Sequence, residues 1–166
     1  LFSATSTSPS DIDTIALPLA GTYTLAIEGR YINTADVAYQ FNVQPVVDGG
    51  GPLTIGATVS GAIDEASEKD VYTFTLAQPA KLLFDTLTPS PAASSLTWSL
   101  TGPRGAEVTG RGFTSSDSFN VTKPLLDLPS GTYQLTVDGT ADVAGVAYSF
   151  RLLDVASATP FTPGTP

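Results

Sequence analysis

Gly21-Thr-Tyr-Thr-Leu-Ala-Ile-Glu-Gly29 recurs 110 positions later as Gly131-Thr-Tyr-Gln-Leu-Thr-Val-Asp-Gly139. A repeat of this kind constrains the fold more than any single motif, because each copy has to be one structural unit burying its own apolar face. The strand that follows repeats as well, Val37-Ala38-Tyr39-Gln40-Phe41 against Val146-Ala147-Tyr148-Ser149-Phe150, at an offset of 109. The lead-ins Leu17-Pro18-Leu19-Ala20 and Asp127-Leu128-Pro129-Ser130 align too, and Gly51-Pro52-Leu53-Thr54 is echoed weakly by Thr159-Pro160-Phe161-Thr162. The expected frame is therefore residues 1–46 as the carboxyl-terminal part of a preceding β-sandwich, 47–157 as a complete unit of about 110 residues, and 158–166 as a linker that starts a further repeat. On this frame the chain is an interior piece of a longer protein.

Within the complete unit the apolar period is two. Tyr72, Phe74 and Leu76 share one face, as do Leu96, Trp98 and Leu100, and Tyr133, Leu135 and Val137, each set alternating with Thr, Ser, Gln or Asp. This is the alternation of strands buried on one side. Leu82 to Phe84 is a more continuous apolar run, and Tyr148, Phe150 and Leu152 supply a last strand. Gly102-Pro103-Arg104-Gly105 places Pro where its fixed φ suits the second position of a turn. Spacings of three and four are not sustained, and Asp64 to Lys69 is the one polar stretch with helical potential. The expected fold class is all-β, with about eight short strands in two packed antiparallel sheets.

Composition narrows function mainly by exclusion. Seven basic against sixteen acidic residues, a formal net charge of −9, oppose approach to a phosphate backbone, so nucleic acid is not an expected partner. Apolar runs fall far short of the roughly 20 residues that a membrane-spanning helix needs. The chain has no Cys and no His, which removes disulfides, thiolate metal sites and the commonest general base. An enzyme would have to rely on carboxylates, Lys or Tyr, and no nucleophile or base signature is present, so no catalytic residue is assigned.

The acidic segment Asp64, Glu65, Glu68 and Asp70 is the candidate metal site, because oxygen ligands crowded in a loop are what Ca²⁺ requires, with Asp85 as a distant contributor. The competing reading is a solvated acidic turn with Lys69 compensating locally, since the spacing matches no EF-hand. Asp11 and Asp13 form a smaller cluster, read as loop solvation. Trp98 could offer a platform for a sugar ring, but its phase with Leu96 and Leu100 favours the core. Tyr23, Tyr39, Tyr133 and Tyr148 are expected in the core or at sheet edges. Asn120-Val121-Thr122 fits a glycosylation sequon and is read as coincidental.

Asp70-Val-Tyr-Thr-Phe-Thr-Leu76, then Leu96-Thr-Trp-Ser-Leu100 before a glycine-containing turn, then Gly131 to Gly139, then Tyr148-Ser-Phe150, form an ordered set. It resembles the bacterial pre-peptidase C-terminal domain and related repeats of large secreted or surface proteins. The resemblance covers the complete unit, and its later half recurs in residues 13–43. It implies a jelly-roll-like sandwich, an extracellular or cell-surface setting, no catalysis of its own, and in some members calcium binding or attachment to a polymer such as collagen or polysaccharide. Ser95-Leu96-Thr97-Trp98 stands where many members carry an Asp-rich strand, a departure that weakens the metal implication.

Residues 1–46 are expected to form a hairpin whose apolar face, Tyr23, Leu25, Ile27, Tyr39, Phe41 and Val43, needs a cover. Neighbouring repeats of the same protein or other copies of the chain are the expected partners. The expected function is a structural or adhesion module in an array or fibre, with a calcium- or glycan-binding module as the alternative.

Overall fold

β-Branched and aromatic residues in alternation give strands wherever a second strand is available to take up the backbone hydrogen bonds. The computed structural model describes residues 14–29, 31–36, 38–89, 91–117, 119–139, 143–160 and 164. Among the described residues nine strands form: β1 (Gly50–Pro52), β2 (Val59–Ile63), β3 (Lys69–Leu76), β4 (Ala80–Thr86), β5 (Thr97–Gly102), β6 (Gly105–Gly112), β7 (Leu125–Leu128), β8 (Gly131–Asp138) and β9 (Val146–Asp154). Single 3₁₀ turns at Phe113–Ser115 and Val155–Ser157 are the only helical elements among the described residues. The stretch Asp64 to Lys69, with its helical potential, turns without forming a helix.

The strands make two sheets, β1-β3-β8-β5-β6 and β2-β9-β4-β7. Every pairing is antiparallel except that of β1, which joins β3 in parallel. The protein is thus an all-β sandwich over Gly50–Ser157, and its inner faces are the period-two sets legible in the sequence. Register places Tyr72 opposite Leu135 and Phe74 opposite Tyr133, with Leu100 on the other flank of Leu135. In the second sheet Leu152 pairs with Phe84, while Phe150 lies between Val59 and Thr86.

Aromatic rings fill the space between the sheets. Phe84 stacks on Trp98 at 4.2 Å between centroids and on Phe150 at 5.0 Å, and Phe113 meets it edge-on at 5.5 Å. Offset-stacked and edge-on pairs of this kind contribute about 0.5–1.5 kcal/mol each beyond the area they bury. Trp98 is fully buried, so it is a core residue and not a sugar platform; its indole N–H donates to Ser116 Oγ at 2.6 Å, and the Arg111 guanidinium covers its ring. Burial lowers the Arg111 pKa from the usual arginine value.

The amino-terminal part departs from expectation. No strand or helix forms among the described residues from 14 to 49, and Tyr23, Leu25, Ile27, Tyr39, Phe41 and Val43 are all exposed. Tyr23 and Tyr39 are therefore neither core nor sheet-edge residues, whereas Tyr133 and Tyr148 are core. The physical reason lies in the topology of the complete unit. The expected hairpin would pair the counterparts of β8 and β9, but β8 sits between β3 and β5 in one sheet, and β9 sits between β2 and β4 in the other. Their repeats at 21–29 and 37–43 have no reason to pair with each other and lack the flanking strands that each would need.

Candidate functional site

The acidic segment crosses from the end of β2 in one sheet to the start of β3 in the other. Glu68 folds back over the turn, and its Oε2 accepts the backbone N–H groups of Asp64 at 2.7 Å and Glu65 at 2.9 Å. Ser67 takes a left-handed φ of 69° to let the chain reverse, and both Ser67 and Glu68 are buried. Glu68 thus acts here as an internal cap for two amides that would otherwise lack partners. Asp64 is exposed, and Glu65 is half-buried with Oε2 shielded from solvent and without a hydrogen bond.

Asp70 belongs to a different environment. It is in phase with Tyr72, Phe74 and Leu76 on the inward face of β3, and it is only 3% exposed. The Tyr148 hydroxyl, arriving on β9 from the opposite sheet, donates to Asp70 Oδ2. Having given its single proton there, Tyr148 accepts from the Tyr72 hydroxyl at 2.8 Å. Gly61 on β2 lies directly over both phenols, and a Cβ there would fall 2.6 Å from each oxygen. The three side chains form a polar pin joining the two sheets inside an apolar core.

The electrostatics of the pin follow from burial. Desolvation raises the Asp70 pKa above the ordinary value of 3.8; the Tyr148 hydrogen bond opposes this, and the negative charges of Glu68 and Asp64 reinforce it. The nearby Gly49 backbone also pulls the value down, although it makes no hydrogen bond of ordinary geometry to Asp70 Oδ1, which is left without one. The Tyr148 phenol is raised strongly, by burial first and then by its bonds to Asp70 and Tyr72, and Tyr72 is raised by burial. Tyr148 therefore stays a neutral donor throughout the range in which the protein would work.

The entering chain closes the site. Asp48 Oδ1 accepts the Lys69 N–H at 3.2 Å, Val71 N–H donates to the Gly49 carbonyl at 3.0 Å, and β1 then runs beside β3. A Cβ on Gly49 would stand 2.1 Å from Asp70 Oδ1, so glycine is what allows the backbone to lie against the carboxylate. Lys69 Nζ pairs with Asp138 across the sheet at 3.4 Å.

The four acidic residues named from the sequence are thus divided between two environments. Glu68 is committed to the turn, Asp70 to the inter-sheet pin, and among the described residues no group of three or more acidic side chains is arranged to hold a metal ion. Asp85 is engaged by Arg151, whose Nε donates to Oδ2 at 2.6 Å across the β4–β9 pair. Asp11 and Asp13 lie outside the described residues. Tyr72 and Tyr148 are the partners that sequence reasoning missed. The available signal was the phase of Asp70, which alternation already placed on the core face, where a carboxylate needs a donor.

Open depressions among the described residues lie away from this segment. One, of about 440 Å³, is lined by Pro79 to Lys81, Asp127 and Asp154 to Ala156; the other, of about 370 Å³, by Thr86 to Pro89, Thr114 and Asp117. The carboxylates of the first already hold partners, Asp127 taking Lys81 at 3.0 Å and Asp154 capping the Ala156 amide. No helix among the described residues is long and apolar enough to cross a membrane.

No protein-family model and no curated protein matches the chain. Among solved structures it is similar to the pre-peptidase C-terminal domain of a collagenase from Bacillus anthracis, at 18% identity and a TM-score of 0.44, covering 67% of this chain and 99% of that one. It is also similar to PliG, a periplasmic inhibitor of g-type lysozyme. The Salmonella Typhimurium protein matches at 21% identity and a TM-score of 0.44, covering 63% of this chain and 98% of that one; the Aeromonas hydrophila protein matches at 16% and 0.43, covering 65% and 99%.

Proposed function

We propose that this chain is a non-catalytic structural module of an extracellular bacterial protein, built from tandem sandwiches that space and present neighbouring parts, with adhesion through its Thr-rich outer faces. The observation that carries the reading is the repeat of the β8–β9 sequence around a complete sandwich whose interior is closed by packed aromatic rings. A closed core with open surface depressions suits a unit that resists force and proteolysis better than one that turns over a substrate. Stretching a tandem chain of residues 47–157 in a single-molecule force experiment tests this. Each unit should open in one step and release about 380 Å of contour length, at roughly 3.5 Å per residue; gradual extension without discrete steps would defeat the structural reading.

A second reading, calcium held near the 64–70 turn, is favoured by one observation: Glu65 Oε2 and Asp70 Oδ1 are buried without hydrogen bonds. A ligand bound only by the folded state raises stability by RT ln(1 + [L]/Kd), so a melting temperature that climbs with calcium and falls with chelator would favour it. Coincident melting curves would remove it.

A further inference from the structure

The two copies of the repeated sequence are in opposite states. Tyr133, Leu135 and Val137 on β8, and Tyr148, Phe150 and Leu152 on β9, are buried. At the equivalent positions Tyr23 is 51% exposed, Leu25 62%, Ile27 48%, Tyr39 69%, Phe41 56% and Val43 76%. Local structure is nevertheless shared: the Tyr133 hydroxyl donates to the carbonyl four residues back, at Pro129, and the Tyr23 hydroxyl donates to its own equivalent, Leu19. This tyrosine-to-backbone tie is a device that sets the entry of a sandwich strand.

Two glycines carry the same contrast. At Gly131, with φ of 146°, a Cβ would lie 2.3 Å from Pro103 in the β5–β6 turn, and at Gly139 a Cβ would lie 2.8 Å from Val143. Gly21 and Gly29 hold the same two places in the earlier copy and have nothing within 4 Å. Glycine stands at 21 and 29 where nothing among the described residues approaches closely enough to require it.

We infer that residues 17–43 form an interaction surface for a β-sandwich that lacks its own last two strands. The occupant is a polypeptide of the same repeat class, supplying counterparts of β2 to β7. Residues 21–29 enter one sheet between its third and fifth strands, and residues 37–43 enter the other sheet between its second and fourth. Both insertions are central, so each new strand gains hydrogen bonds on two sides and its apolar face meets the opposing sheet. The six exposed side chains would bury roughly 700 Å² of apolar surface, taking about 150–250 Å² for a whole aromatic side chain, close to the share of one partner in a stable interface. The inference rests on the repeat part of the proposed function and is independent of the extracellular setting.

The test adds the missing strands to the intact chain. A second copy of its own residues 50–128 is joined ahead of Leu1, and the amides of residues 21–43 are followed by NMR and hydrogen exchange. The expected result is strand-type shifts and exchange slowed by about 10³-fold or more, the equilibrium constant of a marginally stable domain. Phe41→Asp in the extended chain should abolish that protection and leave β8 and β9 unaffected. A control extension carrying residues 50–157, with its slots already filled, should leave 21–43 unprotected; it also reports whether complete units fold side by side, so failure of the tandem reading is seen separately. Fast exchange at 21–43 in the chain extended by 50–128, or equal protection in the control, would overturn the inference. So would a dimer of the unextended chain in which 21–43 is protected, because the occupant would then be a second copy of the whole molecule.

Discussion

Phe41 and Phe150 occupy the same place in the repeated sequence, and truncating each to Ala turns that equivalence into an experiment. Phe150 is fully buried, stacks on Phe84 at 5.0 Å and meets Tyr72 edge-on at 5.6 Å. Phe150→Ala removes the transfer energy of the ring and opens a cavity between two sheets whose backbones are fixed by register. Substitutions of this kind cost about 3–5 kcal/mol. A unit of this size has on the order of 5–15 kcal/mol in total, so the loss is a large part of its stability. Phe41 is more than half exposed, and Phe41→Ala should change stability by no more than about 0.5 kcal/mol, as for other surface substitutions. Equilibrium urea unfolding, followed by the fluorescence of buried Trp98, gives both values on one scale. With a slope of about 1.5 kcal/mol per molar, the Phe150 variant should unfold about 2–3 M earlier and the Phe41 variant should overlay the parent. Similar shifts for the two variants would refute the assignment of buried and exposed copies.

Three further outcomes are expected. Asp70 has a raised carboxyl pKa, so its contribution to stability is fully present below the ordinary value of 3.8 and is lost as pH rises through the folded-state value; Asp70→Asn should therefore gain on the parent in melting temperature as pH rises from below that ordinary value, and a gap that stays constant with pH would remove the argument. Ser116→Ala leaves the buried Trp98 N–H without its acceptor and should cost about 1–3 kcal/mol in urea unfolding, against an apolar-site reading in which it costs nothing. Glu68→Ala strips two backbone amides of their carboxylate and should cost about 2 kcal/mol, while Glu68→Gln, which keeps an oxygen in place, should recover a good part of it; equal losses would show that the amides are satisfied in another way.

How much of this was written in the sequence depends on the range of the interaction. Alternation is local, so Tyr72-Phe74-Leu76 and Tyr133-Leu135-Val137 could be placed on inner faces directly, and Trp98 could be assigned to the core from its phase with Leu96 and Leu100. Sheet membership is not local. Adjacent strands separated by a short turn read as a hairpin, as 21–29 and 37–43 do, yet β8 and β9 lie in different sheets. The division of the acidic segment is hidden for a related reason. Crowding along the chain suggested one site, whereas the boundary between turn and strand falls at Lys69 and sends Glu68 and Asp70 to different tasks. The Tyr148–Asp70 bond spans 78 positions, and no spacing rule reaches that far.

Native hydrogen exchange on the intact chain tests the central claim most directly, because it reads the two copies of the repeat in one molecule. The amides of Leu135 and Phe150 should exchange only through global unfolding of the sandwich, and those of Leu25 and Phe41 at close to the rate of an unstructured peptide. Matching protection in the two copies would contradict the account.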